Sequence, residues 1–125
     1  MKEENVKYLR ENFPNLYQEY GGDPRQTCMA WGIACGDGWF EIIKELSEKL
    51  EPLGVVAAQV KEKFGGLRFY TNPIPEGVEW ETVHEMISEA EVKSYETCED
   101  CGKPGKRTGN MWIKTLCEEC DKERG

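Results

Sequence analysis

Apolar positions recur along this chain with a period that changes from segment to segment, and the changes mark its elements. Val6, Leu9 and Phe13 fall at helical spacing ahead of Pro14. Proline disfavours helix at the residue before it, so a first amphipathic helix covers residues 2–13. Leu16, Tyr17 and Tyr20 suit a short second helical piece, stopped by Gly21-Gly22 and the turn-forming Asp23-Pro24. Residues 25–36 show no clear period. Trp39, Ile42, Ile43, Leu46 and Leu50 then form one stripe, which predicts a helix over 38–50 with Asp37 as its N-cap. Pro52 and Gly54 end it. Residues 55–64 and 67–71 read as strands around Gly65-Gly66, and two glycines between β-type runs favour a tight hairpin, since a type I′ turn needs positive φ at both central positions. Residues 72–77, with Pro73 and Pro75, form a loop. A last helix over 78–95 has Trp80, Val83, Ile87 and Ala90 as its apolar stripe.

The pattern then gives way to paired cysteines. Cys98-Glu-Asp-Cys101 and Cys117-Glu-Glu-Cys120 are separated by 15 residues, the spacing of a paired CxxC metal site. One short loop sets two thiolates on one edge of a tetrahedron, and a second loop completes the zinc coordination. Gly102 and Gly105 suit the turns of a zinc knuckle, and residues 111–115 can return as a strand before the second pair. Four thiolates close the coordination shell, so this zinc would be structural. The fold class expected is therefore α+β: a helical and β-hairpin body over residues 1–97, with its hairpin at 55–71, and a zinc ribbon or treble-clef module over 98–125 packed on the body as one unit. Cys28 and Cys35 have no second pair to join and are expected as buried free thiols.

Length and composition fit that plan. A chain of 125 residues with 38% hydrophobic positions can bury one domain core. No run approaches the roughly 18 apolar residues that span a bilayer, and the first residues lack an apolar signal core, so a cytoplasmic protein is expected. The reducing cytosol also favours zinc over disulfides for the cysteines. The net charge of -8 opposes bulk nucleic-acid binding. Residues 98–125 are balanced, six acids against six bases, so the acidic excess belongs to the body.

Against that acidity, one surface stands out. With Gly65-Gly66 as a two-residue loop, Lys63 pairs with Arg68 and Lys61 with Tyr70, which puts Lys61, Lys63, Arg68 and Tyr70 on one face of the hairpin. Val60, Phe64, Leu67 and Phe69 share the other with Glu62. Like charges opposite one another repel, so something must offset them. A solvated face screened by salt and neighbouring glutamates would do so. So would an anionic ligand, with phosphate on the Arg fork and Lys point charges and a base stacked on Tyr70. Asp37 is accounted for by its N-cap role, and His84, the only histidine, reads as a packed or half-exposed residue with no nucleophile nearby.

Cys35-Gly-Asp-Gly-Trp39, Val60-Lys-Glu-Lys-Phe-Gly-Gly-Leu-Arg-Phe-Tyr70, the Cys98-Glu-Asp-Cys-Gly knuckle and Trp112-Ile-Lys-Thr-Leu-Cys117 together resemble a group of small, uncharacterised zinc-binding proteins of bacteriophages and prophages. The resemblance covers roughly residues 28–120 and implies a phage-type origin, without an activity. By analogy with small phage proteins that antagonise bacterial defence, it implies a sponge for a nucleotide signal in the host cytoplasm. Two other functions are open: an adaptor or inhibitor that meets a host protein, and a nucleotide-cleaving enzyme, for which no metal triad or nucleophile set is recognisable. A homo-oligomer through the hairpin edge is compatible with all three.

Overall fold

The computed structural model describes residues 1–124. Helix α1 (Glu3–Asn12) stops ahead of Pro14 and buries Leu9, with Phe13 buried just beyond its end. Glu3 and Glu4 in its first turn and Arg10 in its last complement the helix dipole. The helical piece expected at Leu16, Tyr17 and Tyr20 is instead a string of turns, although Leu16 and Tyr17 are buried. The amides of Asn15 and Leu16 donate to the Glu51 carboxylate at 3.2 and 2.8 Å, so these donors are satisfied from a distant segment.

Strand β1 (Ile33–Ala34) follows a short 3₁₀ turn, Cys28–Trp31, in the stretch without a period. Cys28 proves exposed and only Cys35 is buried, so the expectation for this pair holds for one thiol alone. Helix α2 (Phe40–Leu50) presents Ile42, Ile43, Leu46 and Leu50 to the core as its stripe predicts. It starts two residues later than expected, because Asp37–Trp39 form a 3₁₀ turn and Asp37 caps nothing there. The Asp37 carboxylate instead accepts from the Lys2 amide at 2.6 Å and Asn5 Nδ2 at 3.0 Å, fastening the start of α1.

Strands β2 (Ala57–Lys63) and β3 (Gly66–Thr71) form the hairpin, and β1 joins β2 in parallel, giving the order β1-β2-β3. The turn lies one residue earlier than the glycine pair suggests: Phe64 and Gly65 are its centre, with φ of 53° and 82°. Lys63 thus pairs with Gly66, Lys61 with Arg68 and Gln59 with Tyr70. Sliding a two-residue turn by one position moves every cross-strand partner by two, so the faces are preserved and Lys61, Lys63, Arg68 and Tyr70 still share one. Phe64 leaves the apolar face for the turn, where it is exposed.

Helix α3 (Trp80–Ser94) packs Val83 and Ala90 against β3 and α2, while Trp80, expected in its apolar stripe, is 60% exposed. Strands β4 (Lys106–Thr108) and β5 (Lys114–Leu116) pair antiparallel, and helix α4 (Glu118–Arg124) follows. The strand expected at 111–115 is displaced toward its end, which leaves Met111 and Trp112 on an exposed loop.

Candidate functional site

The four cysteines of the two CxxC pairs converge. Their Sγ atoms all lie within 4.8 Å of one another, and Cys101 and Cys117 are 3.6 Å apart. A tetrahedron of thiolates around zinc, at about 2.3 Å per bond, has edges of about 3.8 Å, so the cluster has the size of a metal site. Cys98 and Cys101 come from the loop after α3. Cys117 immediately precedes α4 and Cys120 lies in its first turn, where the Cys120 amide points at Cys117 Sγ at 3.4 Å.

The donor set also has the right electrostatics for a cation. Burial opposes ionisation of Cys98, but the backbone amides of Cys117, Cys101 and Asp100 outweigh it and bring its pKa down to about 7. Cys120 is pushed the other way, chiefly by its hydrogen bond with Cys117. Cys101 rises too: the Lys103 amide favours its thiolate, yet burial and the contacts with Cys117 and Cys98 prevail. The Cys98 thiolate is favoured while those of Cys101 and Cys120 are not, which is the frustration a divalent ion would relieve.

The loop bearing this cluster is fitted to the body through Glu99. Its carboxylate is buried, accepting from the Gly36 amide at 2.9 Å and Lys114 Nζ at 3.3 Å. Its carbonyl accepts from the Gly38 amide at 2.7 Å, and its own amide donates to the Thr115 carbonyl at 2.9 Å. Burial raises the Glu99 pKa while Lys114 pulls against it. Gly36 and Gly38 make this approach feasible, because a Cβ on either would stand 2.5 Å from the Glu99 oxygen or 2.0 Å from the Cys98 oxygen. Trp39, fully buried, donates from Nε1 to the Thr97 carbonyl at 2.9 Å. The Gly-Asp-Gly-Trp motif is therefore a seat for the cysteine knuckle.

The hairpin turn is the second seat. Thr115 Oγ1 donates to the Gly65 carbonyl at 2.6 Å and Arg107 Nη2 to the Phe64 carbonyl at 2.9 Å. A Cβ on Gly66 would meet the Tyr95 ring at 2.6 Å, so this glycine is required by packing rather than by the turn.

Beside these seats runs a groove of about 650 Å³ between β3 and α3. Lys63, Arg68 and Tyr70 line it from the hairpin, and Trp80, His84 and Glu91 from the helix. Lys61 stands opposite Arg68 on the same face but does not line the groove. Tyr70 is 47% exposed, and the exposed Trp80 meets His84 edge to face with centroids 5.9 Å apart. The like-charge pair of Lys61 and Arg68 is offset from within the protein: Arg68 Nη1 is paired with Glu91 Oε1, both side chains being about 70% buried. The helix wall was not legible in the sequence as part of a site. Its members follow the spacing 80, 84, 88, 91, one face of a helix, and that periodicity was the available signal.

Family models, curated proteins and solved structures give no match to this chain. Its chemistry is read from the site itself. Among the described residues no helix is long and apolar enough to cross a membrane.

Proposed function

We propose that this is a small binding protein in which a zinc-filled treble clef holds the scaffold and the β3–α3 groove takes an anionic, nucleotide-like ligand. The observation that carries the reading is the meeting of Lys63 and Arg68 with the exposed rings of Tyr70 and Trp80 in one groove. Cations suit phosphate, and aromatic faces suit a base, each stacked base being worth about 1–3 kcal/mol. For the metal module, the order knuckle, hairpin, helix, with the second cysteine pair at the helix start, favours a treble clef over a ribbon. Four thiolates make zinc the fitting ion, and its place there is structural.

By analogy with small phage proteins that antagonise bacterial defence, its role would be that of a cytoplasmic sponge that holds a defence signal and returns it unaltered. Thermal shift and calorimetry with a panel of linear and cyclic nucleotides test the reading. Binding that Arg68→Ala or Tyr70→Ala weakens at least tenfold, with the ligand recovered intact, supports it. A panel without a binder, or a ligand recovered cleaved, refutes it.

One observation favours a second reading, docking to a host protein. Met111 and Trp112 are 101% and 72% exposed on a loop that Arg124 Nη2 holds by the Trp112 carbonyl at 2.9 Å. Exposed tryptophan is a common interface anchor. Loss of a captured host protein on Trp112→Ala, with nucleotide binding absent, would favour this reading.

A further inference from the structure

The groove carries its own competitor. Glu91 is the one carboxylate lining it among the described residues, and it sits on the groove's arginine rather than facing solvent. Arg68 makes no other side-chain hydrogen bond among the described residues, so the contact with Glu91 is its whole partnership there. Lys63, by contrast, is exposed, with its Nζ only over the Phe64 ring at 5.5 Å.

The geometry points to Glu91 as an internal counter-ion that an incoming anion must displace from Arg68, so that it lowers the affinity of the groove for every anionic ligand by one common factor. This rests on the groove being the binding site. The reasoning is that of a partly populated competent state: apparent affinity is intrinsic affinity multiplied by the fraction of molecules whose Arg68 is free. The pair is shared by all ligands, so its effect is the same for a phosphate and for a whole nucleotide. A neutral nucleoside, held by stacking alone, escapes it. Glu91 is about 30% exposed and sits in the last turns of α3, so the displaced carboxylate can turn toward water without unfolding the helix.

The test compares the wild-type chain with Glu91→Gln, which keeps the shape and removes the charge, using inorganic pyrophosphate, 5′-AMP, 3′,5′-cyclic AMP and adenosine as probes in calorimetry. Pyrophosphate and both nucleotides should bind the variant more tightly by one common factor, about 2- to 10-fold for a pair about 70% buried, and adenosine should be unchanged. Tightening that is absent, or equal for adenosine, overturns the inference while leaving the groove reading standing if wild-type binding is still lost with Arg68→Ala. Absence of binding to both wild type and variant overturns the groove reading and the inference with it. Glu91→Ala serves as the second variant if a thermal melt finds Glu91→Gln misfolded.

Discussion

Replacing Gly38 with alanine tests whether the glycine motif is a seat for the cysteine-bearing segment. No left-handed backbone is involved at this position, so the substitution adds one methyl group and nothing else. That methyl would lie 2.0 Å from the Cys98 oxygen and 2.6 Å from the Glu99 carbon and oxygen, all backbone atoms that no side-chain rotation can clear. Ordinary carbon–oxygen contacts need well over 3 Å, so the two segments must separate by more than about 1 Å. Separation on that scale breaks the 2.7 Å bond from the Gly38 amide to Glu99 and those from the Gly36 amide and Trp39 Nε1, both 2.9 Å. Three hydrogen bonds at about 1 kcal/mol each predict a loss of about 3 kcal/mol. Urea denaturation followed by Trp fluorescence should show the midpoint falling by about 1.5 M for a slope near 2 kcal/mol/M. Gly77→Ala is the control: its φ of +87° strains alanine but nothing lies within 4 Å, so it should cost only about 1 kcal/mol. If Gly38→Ala costs no more than Gly77→Ala, the seat is not a close-packed one and the reasoning fails.

Three further outcomes are expected. Cys98→Ser with Cys117→Ser should abolish stoichiometric zinc measured by mass spectrometry under native conditions, and a chelator should lower the melting temperature of the wild type but not of the double variant. Phe64→Gly should stabilise the protein by up to about 1 kcal/mol in thermal melts, because an exposed residue with φ of 53° sits in a conformation that glycine adopts freely. Burial would raise the Asp37 carboxyl, but the Lys2 amide, Asn5 and the nearby N-terminus prevail and hold it below its ordinary 3.8. A depressed pKa gives stability that is present above the unfolded value and lost as pH falls through the folded one. Acid titration followed by circular dichroism should therefore show a loss below about pH 4 that Asp37→Asn lacks.

What could be read in advance divides along physical lines. The α2 stripe was legible because an amphipathic helix repeats its signal over eleven residues. The cationic hairpin face survived a misplaced turn because strand faces depend on parity alone. Turn placement itself was misleading: Gly65-Gly66 looks like a two-residue loop, yet Gly66 answers to Tyr95, a contact from a segment nearly thirty residues away. Asp37 deceived in the same way, since an N-cap is a local inference and its real partners are Lys2 and Asn5. Glu99 resembles any solvated acid between two cysteines, and only the tertiary fold reveals it as the buried join between Gly36 and Lys114. The cysteine cluster was the most readable site, because two CxxC loops are a recurrent way of bringing four thiols to one point. The α3 wall of the groove was the least, because Trp80, His84 and Glu91 acquire meaning only beside β3.

The two seats also set an order of events during synthesis. Residues 36–39 and 64–66 leave the ribosome well before Thr97, Glu99, Arg107 and Thr115, which complete their hydrogen bonds. Contacts of such long sequence separation form late and slowly. A nascent chain halted after α3 would hold two glycine-lined notches open to water, with the amides of Gly36 and Gly38 waiting for the Glu99 oxygens. The hydrogen bonds that complete both notches therefore wait for the cysteine-bearing segment to emerge, and not for the helices made first.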